Sequence, residues 1–301
     1  MNIKITFLGT GAVVPTVKRN HSAIFLNYKD ENILIDCGEG TQRQFRIAKI
    51  NPCSLTRILI THWHGDHILG LPGLFQTLAL NNYNKTLYIY GPKGTKKYVN
   101  ELFKVFVPMK KIKIEVKEVS GNFLKTKDFE IYAYPLVHGN APTLGYYLKE
   151  KDKLRIHKDK LKKLKLTREE EAKLGELTNG KTIKIKNKVI KPKDITYLQK
   201  GKKISFIFDT KLCKNIERIA KDSDLAIVDS TYSNKDEALA LEREHLTSVQ
   251  AAKIAKKSKV QRLILTHISQ RYDNNSSELE NQAKKIFKNT ILAEDLMKIE
   301  V

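Results

Sequence analysis

The chain reads as an α/β (α+β) protein in which two sheets pack together and helices cover the outside. Three observations lead there. Short apolar runs of strand length alternate with helical stretches, both halves share this texture, and reactive side chains gather where the apolar runs stop. At 301 residues the chain suffices for one large domain or two small ones with a sizeable core. Its hydrophobic share of 41% is ordinary, and no run approaches a membrane span, so no membrane partner is expected. Met1-Asn2-Ile3-Lys4-Ile5 enters a strand-like pattern at once, unlike a secretory signal. Cys37, Cys53 and Cys213 lack metal-type spacing, which suits a reduced, cytoplasmic compartment and structural burial for each.

The elements follow in order. Residues 3–8 form a strand, then come a Gly9-Thr10-Gly11 turn and strands over 23–27 and 33–36. Val14 stands where a dinucleotide fingerprint needs its third glycine, so the turn reads as a loop near an active site. A helix over 40–50 and a strand over 57–60 lead into a histidine-rich segment. Beyond it lie an apolar helix over 71–80, a strand over 87–90, a helix over 94–106, and strands over 112–116, 129–134 and 144–148. The last third alternates again: strand 204–208, helix 212–221, strand 225–228, helix 247–257, strand 262–265, and strands near 290–292 and 296–301.

Between these regions the texture changes. Residues 151–193 hold 16 Lys or Arg against 6 Asp or Glu, a large part of the chain's net charge of +22. The spacing predicts an inserted basic module with a lightly built core, against the alternative of a disordered Lys-rich linker. Thr167 and Glu170 offer a capping box for a short helix ended by Gly175, and residues 182–188 read as one arm of a small hairpin. So large a basic excess costs self-repulsion and points to a polyanionic partner, with nucleic acid ahead of anionic membrane. A thermophile surface would balance Lys with Glu, which this chain does not do.

The segment Thr61-His62-Trp63-His64-Gly65-Asp66-His67 packs three imidazoles and a carboxylate behind an apolar run. A strand ending there delivers His62 and His64 to one side, and a tight turn at Gly65 returns Asp66 and His67 towards them. Imidazole and carboxylate together suit zinc. His138, Asp209 and His267 each end an apolar strand as well, as functional groups leaving one edge of a sheet do. The set of five imidazoles and two carboxylates has the size needed for two metals with open positions.

With these residues the chain resembles the metallo-β-lactamase superfamily and, within its phosphodiesterase branch, the ribonuclease Z family. The resemblance runs nearly end to end. It is carried by Phe7-Leu8-Gly9-Thr10-Gly11, Asp36-Cys37-Gly38-Glu39-Gly40-Thr41-Gln42, the histidine segment with Ile68-Leu69-Gly70-Leu71-Pro72-Gly73-Leu74, Thr266-His267-Ile268-Ser269-Gln270-Arg271-Tyr272, and Ala293-Glu294-Asp295. It implies a four-layer αββα metallo-β-lactamase sandwich over residues 1–301, with a protruding basic arm at 151–193 that serves as a tRNA-binding exosite. It implies two zinc ions, with Mn2+ or Fe2+ as substitutes: His62, His64 and His138 on one, Asp66, His67 and His267 on the other, and Asp209 on both. Asp66 then accepts the nucleophile's proton. His245, oriented by Asp229, stabilises the scissile phosphate or protonates the leaving oxygen. Arg19, Asn20 and Arg271, with Lys162, Lys163, Lys165 and Lys181 of the arm, are expected to contact RNA. His21 and His157 are left structural or solvent-facing.

The implied activity is removal of the 3′ trailer from precursor tRNA by a homodimer, leaving a 3′-hydroxyl on the tRNA and a 5′-phosphate on the trailer. A small-molecule phosphodiesterase on the same scaffold competes with it, but needs no basic arm. An RNA-binding protein with a vestigial metal site is disfavoured by the full ligand set. In place of the family's Gly-Pro pair near the arm's tip stands Leu174-Gly175-Glu176. The Lys of the loop Pro15-Thr16-Val17-Lys18-Arg19-Asn20 is shifted by one position. Phe208 replaces a commoner Gly before Asp209.

Overall fold

Most of the long apolar runs are buried on both faces, as a sheet covered on one side by helices and on the other by a second sheet requires. The computed structural model describes residues 2–105, 112–164, 166–185 and 188–301. Its strands are β1 (Lys4–Gly9), β2 (Ala23–Tyr28), β3 (Glu31–Ile35), β4 (Arg57–Leu59), β5 (Thr86–Gly91), β6 (Lys113–Glu118), β7 (Gly121–Lys125), β8 (Phe129–His138) and β9 (Ala141–Glu150). They continue with β10 (Lys153–Ile156), β11 (Ile183–Ile185), β12 (Lys188–Ile190), β13 (Thr196–Gln199), β14 (Lys203–Ile207), β15 (Leu225–Asp229), β16 (Arg262–Thr266), β17 (Thr290–Leu292) and β18 (Lys298–Glu300).

Two seven-stranded sheets result, ordered β18-β1-β2-β3-β4-β5-β6 and β17-β16-β15-β14-β9-β8-β7. Strands β3 to β6 run parallel, as do β14 to β17. Period-2 alternation sorts the side chains. Ile58 and Ile60 face one helix-covered core, and Ala226, Val228, Leu263 and Leu265 face the other. The inner faces meet through Tyr90 and Phe123, whose rings lie 5.0 Å apart, and through Tyr146, whose hydroxyl donates to the Ile60 carbonyl at 2.6 Å.

The chain divides into two compact units, Met1–Lys125, Ile131–Leu148, Lys203–Val301 and Thr126–Glu130, Lys149–Lys202. The second contains the basic stretch and extends beyond the expected 151–193. In it β10 pairs with β13 and β11 with β12, around a small core of Leu177, Ile183, Ile185, Ile190 and Ile195. The Thr167–Glu170 capping box is present and opens the helix Arg168–Ala172. Gly175 does not end that helix. It sits inside the next one, Leu174–Thr178, because Lys173 stays helical and carries the chain on. Of the hairpin arm expected over 182–188, Ile183–Ile185 forms β11 and Lys188 belongs to the returning strand, with residues 186 and 187 outside the described residues.

Other boundaries moved by a few residues, as frayed ends do. The helix expected over 94–106 is Thr95–Val105, with Phe106 outside the described residues. Helices Glu237–Glu242 and Ser277–Lys284 were not anticipated, since each buries too few side chains to leave a clear apolar stripe. Of the cysteines only Cys37 is buried; Cys53 and Cys213 are half-buried.

Candidate metal centre and catalytic site

The candidate residues leave the carboxyl ends of the parallel strands, where the chain turns away and backbone groups no longer pair across the sheet. Asp36 follows β3, Thr61-His62 follows β4, Asp209 follows β14, Asp229 ends β15 and His267 follows β16. Three of them adopt left-handed backbone: Asp36 (φ +56°), Asp209 (φ +34°) and His267 (φ +61°). Such a conformation in a non-glycine residue is uncommon and concentrates at functional sites. Gly65 does not make a tight turn; it starts one helical turn, Gly65–Ile68, with His64 at its N-cap. That turn is pinned to the Asp36 loop by hydrogen bonds from Cys37 N to His67 O (2.8 Å) and from Gly70 N to Cys37 O (2.9 Å). The approach is so close that a Cβ on Gly70 would sit 2.0 Å from the Gly38 carbonyl oxygen, which explains that glycine.

Asp209 occupies the middle. Its Oδ2 lies 3.3 Å from His67 Nε2 and 3.7 Å from both His62 Nε2 and His138 Nε2, while Oδ1 lies 3.3 Å from His267 Nε2. Around it, His62, His64 and His138 form one group, and Asp66, His67, Asp209 and His267 another, each with donor atoms within 4.8 Å of one another. His138 Nε2 is 3.2 Å from His64 Nδ1, and Asp66 Oδ2 is 3.3 Å from His267 Nε2. A third group of Asp209, Asp229, His245 and His267 meets the same distance criterion. In it His245 has Nδ1 engaged by Asp229 Oδ2 at 3.0 Å.

The hydrogen-bond network sets the tautomers. His67 donates from Nδ1 to Asp36 Oδ2 (2.7 Å), and His138 from Nδ1 to the Glu244 carbonyl (3.2 Å). Thr61 Oγ1 donates to Asp36 Oδ2 (2.7 Å), so it accepts from His62 Nδ1 (3.1 Å). The same relay recurs on the second sheet. Thr231 Oγ1 donates to Asp229 Oδ1 (2.6 Å) and therefore accepts from His267 Nδ1 (2.8 Å). All four imidazoles thus turn Nε2 towards Asp209, the nitrogen a metal takes in place of a proton.

Burial, then the neighbouring His67, holds His62 well below its usual pKa, so it is the neutral ligand form. Burial alone would lower His67 too, yet Asp209, Asp66 and Asp36 hold it well above the usual value. His62 Nε2 is buried without a hydrogen-bond partner among the described residues. An orphaned buried nitrogen amid imidazole and carboxylate donors fits a borderline-soft divalent ion.

Burial would also lower His245, but Asp229 raises its pKa to about 9. Asp229 is fully buried; desolvation pushes its pKa up, but His245 outweighs this and holds it below the usual value. The carboxylate also accepts from Thr231 N (2.9 Å). Glu244, next to His245, is anchored by Lys211 Nζ (2.6 Å) and by the amide of Gly139.

The expected RNA contacts divide. Arg19 is a buried residue, 5% exposed, and its guanidinium donates to Thr10 Oγ1 (2.7 Å) and the Ala293 carbonyl (2.6 Å). Its charge braces the loop from inside, drawn inward by Asp295, Asp273 and Glu294. Asn20 is half-buried, with its amide on the Glu39 carbonyl at 2.8 Å. Arg271 is exposed, over the Tyr232 ring at 5.5 Å. Lys162, Lys163 and Lys181 are exposed, and Lys165 lies outside the described residues. His21 is buried with Nε2 on the Val13 carbonyl (3.0 Å), and His157 is exposed beside Tyr197. Phe208 is buried against Phe206.

Asp36, Thr61, Thr231 and Glu244 were not singled out from the sequence as site residues. Asp36 carried a usable signal, since it follows the apolar strand β3 as Asp209 follows β14. The two threonines and Glu244 carried none.

A family model described as Anti-Pycsar protein Apyc1 matches residues 3–130. Ribonuclease Z of Methanosarcina mazei is 36% identical over 304 residues, covering 99% of this chain and 98% of its own. Ribonuclease Z of Archaeoglobus fulgidus is 37% identical over 306 residues, covering 100% and 98%. Among solved structures, human tRNase Z, short form, superimposes with a TM-score of 0.71 at 26% identity, covering 98% of each chain. The strand order, the strand-end His and Asp residues and these full-length similarities converge: the chain belongs to the ribonuclease Z family, metal-dependent endoribonucleases of the metallo-β-lactamase superfamily.

Proposed function

We propose that this chain removes the 3′ trailer from precursor tRNA with two zinc ions per subunit, acting as a cytoplasmic homodimer. One observation carries the reading: six His and Asp donors gather around Asp209, with four imidazoles oriented through Nδ1 so that Nε2 faces it. His62, His64 and His138 would hold one ion and Asp66, His67 and His267 the other, with Asp209 shared. Bound there, such ions neutralise charge on a phosphodiester and lower the pKa of water.

The chain's own residues supply the rest. Asp66 holds Oδ2 at the mouth of the cluster, where the Val13 amide donates to it (3.0 Å), and accepts a proton from the attacking water. His245, protonated at neutral pH through Asp229, donates a proton to the leaving 3′ oxygen. Arg271, with Asn20 at the loop, and Lys162, Lys163 and Lys181 in the basic unit, would meet backbone phosphate, which positions RNA without reading its sequence. Full-length similarity to ribonuclease Z favours this over a small-diester hydrolase.

The test is to incubate the protein with precursor tRNA bearing a 3′ trailer, with and without chelator, and map the cut. A chelator-sensitive cut at the trailer junction is expected. Turnover of a small diester without any cut in the tRNA would refute the reading.

A further inference from the structure

The candidate centre is closed on one side and open on the other. His62, His67 and His267 are fully buried, whereas His64 is the one exposed imidazole of the ligand set. A cleft of about 470 Å3 begins at His64 and is lined by Trp63, Tyr98, Leu102, Ile68 and Lys93 among others. The rings of Trp63 and Tyr98 lie 5.1 Å apart with 41° between their planes. Trp63 is held there by its Nε1, which donates to Thr95 Oγ1 at 2.9 Å; that hydroxyl in turn donates to the Pro92 carbonyl at 2.7 Å. Tyr98 is 40% exposed, a large aromatic left at the surface, with Lys97 Nζ 6.0 Å from its ring centre.

A preset aromatic wall with Lys93 beside it is the recognition chemistry of an unpaired nucleobase with its phosphate, and Lys97 pairs with Glu101, the acidic residue of the lining, at 3.9 Å. Every base has a π-face, so stacking tolerates any sequence. We propose that this cleft receives the first nucleotide of the trailer, its base on Trp63 and Tyr98 and its following phosphate near Lys93. The proposal rests on the trailer-removing activity argued above. Geometry chooses the trailer side over the tRNA side. The leaving oxygen belongs to the last tRNA nucleotide and is protonated by His245, whose ring packs on His138 (4.8 Å) and His267 (5.2 Å); His138 stands between it and His64 (4.9 Å), and neither His138 nor His245 lines the cleft. The cleft lies beyond His64, on the rim lined by Trp63 and Tyr98. The nucleotide on the other side of the phosphate is therefore the one that meets it.

The test compares precursor tRNAs that are intact, abasic at the first trailer position, or abasic at the last tRNA nucleotide. They are cut by wild type, Tyr98→Ala and Tyr98→Phe. Loss of the trailer base should raise KM for wild type about tenfold. Tyr98→Ala should show the same rise on intact substrate and little further loss on the abasic trailer, while Tyr98→Phe keeps wild-type behaviour. Trp63→Phe, which retains a ring but loses the Thr95 bond, should fall between. Metal content and the thermal unfolding midpoint should be unchanged in Tyr98→Ala, which excludes general damage. Equal losses of Tyr98→Ala on intact and abasic trailers, or no loss at all, would overturn the proposal. So would non-additivity with the abasic tRNA end instead. If wild type cuts the precursor but ignores the trailer base, only the cleft assignment falls; if it cuts no precursor, both readings fall.

Discussion

At the scale of single residues, Asp229 serves two histidines at once. Oδ2 faces His245 directly, and Oδ1 reaches His267 through Thr231. The paired carboxylate holds His245 protonated, a share lost as pH rises through about 9. Asp229→Asn removes that stabilisation, so the alkaline limb of the kcat profile should move to lower pH. A pH–rate series on the precursor measures the shift, and an unmoved limb would exclude His245 as the acid. His245→Ala should slow cleavage by about 10²–10⁴-fold with metal content unchanged. Asp36 acts earlier in the chain of contacts, since it orients His67 and, through Thr61, His62. Asp36→Ala should weaken metal retention by about 10–100-fold, read as metal per protein after dialysis against graded chelator. Retained metal would mean the carboxylate only supports the loop. The candidate ligands were legible in sequence because strand-end His and Asp after apolar runs are conspicuous. Thr61 and Thr231 were not, because nothing in a threonine's neighbours announces that its hydroxyl will join an Asp to a His.

At the scale of elements, the informative segment is the basic unit. It has its own core of Leu177, Ile183, Ile185, Ile190 and Ile195, so the disordered-linker alternative does not hold for its described residues. The composition shift located it, but its true limits lie further out. Strands β10 and β13 pair across Lys153 and Gln199, a register that local periodicity cannot reveal. Glu150 and Gly201 lie so close that a Cβ on Gly201 would meet the Glu150 carbonyl oxygen at 2.0 Å. Joining the chain there through a short Gly linker should delete the unit cleanly. Precursor binding should collapse and its salt dependence flatten, while small-diester turnover persists. Equal loss of both activities would show that the unit supports the fold instead.

At the scale of the whole molecule, a net charge of +22 makes affinity for RNA an ionic-strength question. If six to ten phosphates are engaged, affinity should fall by on the order of 10³–10⁵ between roughly 50 and 200 mM salt. Filter binding across that range measures it; a flat response would put the excess charge to some other use. Chelation should lower the unfolding temperature in calorimetry, and added zinc should restore it. Five imidazoles and two carboxylates gathered around one point are stabilised by an ion that binds only the folded arrangement.

By itself the sequence determined the class of the fold, the positions of most strands, the seven candidate ligands and the basic insert. These are local facts: alternation of period two, apolar runs ending in reactive residues, and a change in composition. Tertiary structure decided what depends on residues distant in sequence. Packing of the two sheets brings His267 within 3.3 Å of His67, 200 positions away, and aims both at Asp209. Burial turned Arg19 inward, since its partners Thr10 and Ala293 are fixed only when both ends of the chain meet. The Asp–Thr–His relays and the Trp63–Tyr98 wall likewise exist only once the sheets have packed, because each joins residues from different elements.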